Sequence, residues 1–488
     1  MISHDTNVDS PNSSHAPLSL PEQRRILKEL RQKLLLQYRP VLQQGAGPIR
    51  VMARMVGDLE KQCRALNLSQ EVIRDGIINR TIGDIDLRKV IECEGEPGGP
   101  GDYRMLADEL GIALPGENIN GYTASGEAYL WLREQMLENE RFLLSQGIDL
   151  RIYDILGVGN LVLRDWLAQD MRRKWTIDVP AEQLYLSLGA MDGIDKTFRG
   201  LRNMFREQGD NEVAVLFPAP GFTVPDWQAR SCGYRLHSVP TSERAHFKLT
   251  PPQLADALET NPDIRIVYLT VTNNPTAFAY TPDELNALHD VLRQQRAKGR
   301  DTLVLADLAY IGTGKPAEDR ARMETFNAPD VLRSTIFVSS FSKTHTLTGE
   351  RFGWVTVGNP EVAGRIGAGW TNSMASLPSE WQLRYMSYYQ FLQKHPELDQ
   401  KLRDFYRLRR ERFIAQLQQI NQEQPLFEQV YNDDDATVYN WSKLREGEDA
   451  FSLFEKTGIA GVPGSGFGYT DQFIRFSIGV IPVLRKLP

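Results

Sequence analysis

The sequence predicts an α/β protein with a mainly parallel sheet, preceded by a helical extension. Two patterns support this prediction. From about residue 175, short apolar runs alternate with amphipathic helical stretches, which is typical of parallel strands joined by crossover helices. Residues 20–93 instead repeat their apolar positions with the period of a helix. The chain has 488 residues, which are enough for two or three domains with a large core.

Composition and charge narrow the class of protein. Lys+Arg 56 against Asp+Glu 63 gives a formal net charge of −7, which disfavours a nucleic-acid-binding surface over the whole chain. No apolar run approaches ~20 residues, which disfavours a membrane-spanning helix. The first 19 residues have neither an apolar core nor a basic flank, which disfavours a secretory signal. Cys63, Cys93 and Cys232 are too far apart in sequence for a disulfide framework or a metal cluster. We expect a cytoplasmic enzyme that binds neither membrane nor metal.

The N-terminal part divides into a tail and a helical region. Residues 1–18, rich in Ser, Asn, Asp and Pro, are predicted to be disordered. Residues 19–115 are predicted to be a helical extension with a linker. Pro21 suits a first helical turn, and leucines and Ile26 follow on one stripe. Two further amphipathic stretches precede GEPGGPG (95–101), which breaks the periodicity.

The strand and helix predictions follow from the alternating part of the chain. The helices include MDGIDKTFRGLRNMF and PDELNALHDVLRQQRAKG. The β-rich runs are EQLYLSL, EVAVLFP, IRIVYLTV, DTLVLADL and STIFVSS. Ligands of such sheets bind at the carboxyl ends of the strands, so we expect the chemistry there.

Each of these five runs ends in polar or aromatic residues. Lys343 follows STIFV in SSFSKTHTLTGERFGW, with Arg351 eight residues later. A lone lysine at a strand end is usually a solvated surface group, and an Asn-Pro sequence is often only a turn. Their combination favours a single site. The other four segments are SLGAMDG (Ser187–Gly193), PAPGF (Pro218–Phe222), NNPT (Asn273–Thr276) and DLAY (Asp307–Tyr310).

Taken together, these motifs resemble the fold-type I pyridoxal-phosphate (PLP) enzymes of the class I/II aminotransferase group. The resemblance runs from about residue 118 to 477, and its most specific element is Ser340-x-x-Lys343 with Asp307 36 residues before the lysine. It implies an aspartate aminotransferase-like fold and pyridoxal 5'-phosphate as cofactor. The implied large PLP-binding domain covers 156–365. A smaller α+β domain has an N-terminal part and substrate-entry segment at 116–155 and a C-terminal part at 366–488.

The resemblance also implies roles in cofactor binding and catalysis. Lys343 would form a Schiff base with the PLP aldehyde and then move the Cα proton. Asp307 would keep the pyridine nitrogen protonated, while Tyr310 and Asn274 would hydrogen-bond the ring's phenolate oxygen. Phe222 would stack on the ring. The phosphate would be held by a helix N-terminus and two side chains, at Gly189, Ala190, Met191, Ser340 and Arg351.

Substrate and subunit contacts are implied in the same way. Arg475, in FIRFSIG, resembles the arginine that binds the substrate carboxylate, with Asn274 beside it. INGYTASGE (119–127) resembles the substrate-entry segment and brings Gly126 near the substrate. Tyr153, in YDILGVGNLVLRDW, resembles the tyrosine that reaches the phosphate in the neighbouring subunit. The resemblance therefore implies a homodimer with shared active sites.

The sequence departs from the family pattern in three ways. Ala277 replaces the glycine of the usual Asn-Pro-Thr-Gly turn, which leaves the backbone shape of that turn open. His345 follows the lysine closely and is either a second acid/base group or a packed side chain. The helical extension is long, and the chain ends soon after Arg475. These departures suggest a specialised member of the family.

Several reactions fit the same motifs. Transamination of an α-amino acid to a 2-oxo acid is the leading hypothesis, while β- or γ-elimination, replacement, decarboxylation and carbon–carbon bond formation use the same cofactor chemistry. An activated substrate such as S-adenosylmethionine is one alternative. A transcription regulator with an aminotransferase-like domain is another. Residues 19–93 carry 14 Lys/Arg and 9 Asp/Glu but no helix-turn-helix pattern, which favours a solvated helical face over DNA binding.

Overall fold

The structure, a computed structural model, describes residues 18–43, 47–82, 122–431 and 438–478. The tail predicted at 1–18, apart from residue 18, and the GEPGGPG linker lie outside these residues. Among the described helices, none combines the length and apolar character needed to cross a membrane.

The described N-terminal residues, 18–43 and 47–82, form three helices and a short strand. Pro48 stands in the first turn of the second helix, and Ser69 caps the third by accepting a hydrogen bond from the Val72 amide. The second helix buries Val51, Met55 and Leu59 along one face, as its periodicity predicts. The elements are α1 (Leu20–Gln43), α2 (Pro48–Ala65), α3 (Gln70–Gly76) and β1 (Ile78–Asn79).

A seven-stranded sheet dominates the described part of the chain. Its order is β2-β8-β7-β6-β5-β3-β4, and every pair is parallel except those that β8 makes with β2 and β7. The predicted α/β class with a mainly parallel sheet is confirmed. The strands are β2 (Leu184–Leu188), β3 (Ala214–Ala219), β4 (Arg235–Pro240), β5 (Ile264–Thr270), β6 (Leu303–Asp307), β7 (Thr335–Ser340) and β8 (Phe352–Val357).

Helices cover the sheet, and buried side chains from strands and helices form two large clusters. Capping boxes define several helix starts; Thr281 and Glu284, for example, cap the helix that begins at Pro282. The helices before and around the sheet are α4 (Tyr122–Ser145), α5 (Leu161–Trp175), α6 (Ala190–Glu207), α7 (Val224–Ser231), α8 (Pro251–Thr260), α9 (Pro282–Ala297), α10 (Pro316–Glu324), α11 (Pro329–Leu332), α12 (Phe341–Thr344), α13 (Pro360–Ile366) and α14 (Ala368–Met374).

The C-terminal part adds long helices and an antiparallel sheet of order β12-β13-β10-β9. A parallel pair between β1 and β11 joins the N-terminal region to it. The elements are α15 (Ser379–Lys394), α16 (Glu397–Glu423), β9 (Phe427–Val430), β10 (Tyr439–Leu444), α17 (Ala450–Thr457), β11 (Ile459–Ala460), β12 (Val462–Pro463) and β13 (Phe473–Ser477).

The N-terminal helices and the C-terminal elements share one hydrophobic core. Met52 and Leu59 of α2 belong to the same buried cluster as Phe454 of α17 and Phe476 of β13. Arg31 of α1 donates hydrogen bonds to the carbonyls of Gly76 (2.6 Å) and Glu455 (3.1 Å). Helices α1 and α2 therefore pack as a layer against the C-terminal elements. The domain boundaries given above stay a prediction.

Candidate active site

A cavity of about 250 Å³ lies where several strands of the large sheet end. Its walls come from β6 and β7, from the start of α6 and from β13 of the C-terminal sheet. Of the residues assigned to the site from sequence, ten line it: Ala190, Met191, Phe222, Asn274, Asp307, Tyr310, Ser340, Lys343, Arg351 and Arg475. Segments far apart in sequence thus meet at one edge of the sheet, as parallel topology requires.

The start of α6 forms an anion-binding corner of this cavity. Gly189 is the N-cap, adopts φ +82° and offers no side chain to cap the helix. A Cβ atom added there would lie 2.4 Å from Nη2 of Arg351, so only glycine lets the guanidinium approach the helix start. Arg351 is held by donating to the carbonyls of Thr348 (2.7 Å) and Leu188 (3.3 Å). Uncapped helix amides beside a fixed arginine fit the phosphate of PLP.

Asp307 supplies a buried carboxylate at the end of β6. Its Oδ2 accepts a hydrogen bond from the Tyr268 hydroxyl (2.5 Å), and its Oδ1 accepts one from the Ala309 amide (2.9 Å). Burial raises the pKa of Asp307 above its ordinary value, while these two hydrogen bonds act in the opposite direction. A cationic pyridine nitrogen fits this carboxylate.

Asn274 and Tyr310 form a hydrogen-bonded pair beside it. Nδ2 of Asn274 donates to the Tyr310 hydroxyl (3.1 Å), which also lies 3.2 Å from the hydroxyl of Tyr439. Burial, together with Tyr439, raises the pKa of Tyr310 well above its ordinary value, so the phenol stays protonated. Ala277 adopts φ +65°, and the Asn273–Ala277 turn closes with a 2.8 Å backbone hydrogen bond. The turn therefore keeps a left-handed residue at this position despite the missing glycine.

Arg475 is a buried cation on β13, 2% exposed. Nη1 donates to Oδ1 of Asn274 (3.0 Å), Nη2 donates to the Thr81 carbonyl (2.6 Å), and the buried Nε has no hydrogen-bond partner. The guanidinium stacks 4.3 Å from the ring centre of Tyr439. Burial lowers the pKa of Arg475 from its ordinary value. Among the described residues no carboxylate pairs with it, so an incoming carboxylate would find an electrostatic partner there.

Lys343 lies in α12, the single turn after β7, and reaches the cavity beside Ser340. His345 points elsewhere. Its Nε2 is 2.8 Å from Oδ1 of Asp399, and its Nδ1 is 2.8 Å from the Thr344 hydroxyl. His345 lines a separate cavity of about 320 Å³, with Trp354 and Asp399. These contacts favour the interpretation of His345 as a packed side chain over its interpretation as a second acid/base group.

Tyr153 and Gly126 are not among the described residues that form this arrangement. Tyr153 is 79% exposed and does not line the cavity of its own subunit. Gly126 falls within α4, where the surroundings of residues 122–131 are outside the described part of the chain. The assignments of both residues stay predictions.

Sequence reasoning missed several residues of the cavity. Tyr439 and Thr348 line it, and so do Ile49 and Ile82 of the N-terminal region. Tyr268, whose hydroxyl binds Asp307, was also missed because it lies inside an apolar strand with no polar pattern around it. Thr81 contributes only a carbonyl, which leaves no trace in the side-chain sequence.

Comparisons with known proteins agree with this geometry. Residues 156–482 match the family model "Aminotransferase class I and II". The LL-diaminopimelate aminotransferase of Maridesulfovibrio salexigens is 26% identical over 329 residues, which is 66% of this chain and 78% of that protein. The aspartate aminotransferase of Geobacillus stearothermophilus is 24% identical over 320 residues, covering 64% and 75% of the two chains.

Solved structures of low sequence identity share the fold. The aspartate aminotransferase of Thermus thermophilus with maleate superposes with a TM-score of 0.60 at 18% identity, over 87% of this chain and 91% of that one. The aromatic aminotransferase of Pyrococcus horikoshii gives a TM-score of 0.61 at 18% identity, over 86% and 93%.

Fold and site together define a PLP-dependent enzyme of fold type I. The family match extends over about two-thirds of the sequence, and the chain belongs to the aminotransferase class I and II family. It is accordingly a PLP-dependent aminotransferase acting on amino acids.

Proposed function

We propose that the protein transaminates an α-amino acid to the corresponding 2-oxo acid, with Lys343 as the covalent anchor of PLP. The observation that carries this proposal is the buried guanidinium of Arg475, which shares one cavity with Lys343 and Asp307. An α-amino acid brings a carboxylate for Arg475 and an amino group for the cofactor. A cavity with only the cofactor contacts would not require that cation.

In the proposed reaction, each of these residues has a distinct role. PLP, when bound, supplies an electron-withdrawing ring that stabilises negative charge at the substrate Cα. Arg475 would hold the substrate carboxylate through paired hydrogen bonds and so orient the Cα–H bond across the ring. The Lys343 amine would take the Cα proton and return it to the carbon beside the ring. Asp307 would hold a proton on the ring nitrogen throughout.

We further propose a homodimer whose subunits share active sites. Support comes from the segment after α4, where four neighbouring apolar side chains are exposed: Ile152, Tyr153, Ile155 and Leu156. A contiguous apolar patch of this kind is typical of a protein–protein interface. Tyr153 within it would reach the phosphate bound by the partner subunit.

We also propose that the enzyme is cytoplasmic, because the free thiols of Cys63 and Cys232 would remain reduced in that compartment.

The transamination proposal, with Lys343 as the PLP anchor, is tested by borohydride reduction followed by peptide mapping, in the wild type and in Lys343→Ala. We expect the wild type to carry the reduced cofactor on Lys343, and the variant to carry none and to lack activity. Wild-type protein incubated with amino acids should release the matching 2-oxo acid. Labelling of a different lysine would refute the assignment of Lys343. Release of ammonia or carbon dioxide in place of amino transfer would refute transamination.

A further inference from the structure

Helix α16 contacts the lysine-bearing turn at two points. The hydroxyl of Tyr406 donates to the carbonyl of Lys343 itself (2.9 Å). One carboxylate oxygen of Asp399 lies 2.8 Å from Nε2 of His345. Asp399 and Tyr406 are seven residues apart, which is close to two helical turns, so they project from one face of α16.

The turn itself is not a self-supporting structure. α12 has only four residues, and the Lys343 carbonyl lies near its C-terminus, where carbonyls have no partner inside the helix. Thr346 follows with φ +57°, a left-handed conformation that is strained for a β-branched residue, and its buried hydroxyl has no hydrogen-bond partner. Such a backbone persists only where the surroundings over-determine it.

The Asp399 contact is electrostatic as well as geometric. Burial opposes ionisation of Asp399, but the hydrogen bond and charge of His345 and the ammonium of Lys174 (3.3 Å) outweigh it. The pKa of Asp399 therefore lies well below its ordinary value, and the group is a carboxylate. The His345 ring also packs edge-on against Phe341 of α12, with 5.0 Å between the ring centres. α16 thus holds the lysine turn at Lys343 and at His345, the residue that caps α12.

The other half of α16 belongs to the C-terminal core. Phe413, Leu417 and Ile420 lie in the same buried cluster as Phe476 of β13. The Phe413 and Phe476 rings are 5.3 Å apart, centre to centre. Phe476 is the neighbour of Arg475 in the strand. One continuous helix therefore connects the turn that carries Lys343 with the strand that carries Arg475.

We propose that Tyr406 and Asp399 are positioning residues for Lys343. They hold the strained turn at a fixed place relative to β13, so that the lysine amine and the carboxylate-binding guanidinium keep the separation that the reaction needs. This inference rests on the proposed function for the identity of the proton carrier. His345 acts here as the link between Asp399 and the turn, not as an acid or base.

Tyr406→Phe is the test, because it removes only the hydroxyl that binds the Lys343 carbonyl. Tyr234→Phe is the matched control, since the Tyr234 hydroxyl also donates to a backbone carbonyl, that of Phe198, at 2.9 Å. The first measurement is hydrogen–deuterium exchange of the cofactor-free protein. We expect amide exchange in residues 341–347 to be roughly tenfold or more faster in Tyr406→Phe, and unchanged in Tyr234→Phe.

The second measurement is the steady-state kinetics of the loaded enzyme. Tyr406→Phe should lower kcat by about 10- to 100-fold with KM for the amino acid little changed, because a displaced amine slows proton transfer without altering the carboxylate contact. The effect of Cα-deuteration on the rate should increase. Asp399→Asn should show the same split in a weaker form, and it serves as the test if Tyr406→Phe does not fold.

Three results would overturn the positioning role: unchanged amide exchange in the lysine turn of Tyr406→Phe, an equal effect of Tyr234→Phe, or a rise of KM without a fall in kcat. If borohydride does not label Lys343 in the wild type, the proposed function fails, whereas the exchange measurement still judges whether α16 holds the turn.

Discussion

Tyr268 controls how readily Asp307 carries its charge inside the sheet. Burial raises the pKa of Asp307, and the hydrogen bond from Tyr268 works against that rise. In Tyr268→Phe the carboxylate loses this donor, so its pKa should rise further. Because the proposed reaction needs ionised Asp307, the acidic limb of the kcat/KM profile should move to higher pH, with about a tenfold loss of activity on that limb.

The control for this change is Tyr234→Phe, which removes a buried hydroxyl from the same hydrophobic cluster and leaves the hydrogen bonds of Asp307 intact. An acidic limb that stays in place in Tyr268→Phe would contradict the role given to Tyr268.

Arg475 distinguishes an amino-acid enzyme from a protein that only binds the cofactor. A lysine at this position offers a point charge instead of a planar fork, and it cannot serve the substrate, Asn274 and Thr81 together. Arg475→Lys should therefore lower kcat/KM by roughly 30- to 1000-fold. Borohydride labelling of Lys343 should persist, which shows that the cofactor site is intact. Wild-type kcat/KM in the variant would mean that the carboxylate binds elsewhere.

The loop between β2 and α6 allows a test of the anion-binding corner at the start of α6. Gly189→Ala places a methyl group 2.4 Å from Nη2 of Arg351 at a residue with φ +82°. We expect the apoprotein to bind PLP about 10- to 100-fold more weakly, since the arginine must move away from the helix start.

Gly209→Ala is a close control for that variant. Gly209 has φ +86°, so it carries similar backbone strain, but an added Cβ would meet nothing within 4 Å. Fluorescence titration with PLP compares the two. Equal weakening in both variants would show that backbone strain alone, and not the contact with Arg351, is responsible.

The strands and their ends could be predicted because each is encoded locally. IRIVYLTV and STIFVSS are β-rich runs, and β5 and β7 occupy residues 264–270 and 335–340 within them. Asp307 is the last residue of β6, and Asn274 and Lys343 come within four residues of the ends of β5 and β7, so topology alone brings them together. β4 and β8 were not predicted: β4 has a largely exposed pattern, while β8 is antiparallel and follows the lysine loop.

The contacts that could not be predicted are those between distant segments. Arg31 binds carbonyls near residue 455, and Arg475 binds the carbonyl of Thr81. Main-chain acceptors have no sequence signature, so the shared core of α1, α2 and the C-terminal sheet emerges only in three dimensions. Ile82 reaches the cavity for the same reason, through the pairing of β1 with β11.

Assembly of two chains is the step on which a complete site depends in our proposal. The segment at 152–156 exposes Ile155 by 87% and Tyr153 by 79%, which is costly for an isolated subunit in water. If this patch is the interface, a charge inside it should separate the subunits. Ile155→Asp should therefore be monomeric by sedimentation equilibrium, lose PLP on dilution and lose activity with it.

A matched exposed leucine isolates the effect of position. Leu36 on α1 is 78% exposed, so Leu36→Asp introduces the same charge on another surface and should leave the dimer, the bound cofactor and the activity unchanged.

Tyr153→Phe tests the shared site itself, because it keeps the apolar ring and removes only the hydroxyl that would reach the partner's phosphate. We expect it to remain dimeric but to bind PLP about tenfold more weakly, the loss of one hydrogen bond to a charged group. A fully active monomeric wild type would refute the shared site. Unchanged PLP affinity in Tyr153→Phe would leave the dimer in place and remove Tyr153 from the phosphate.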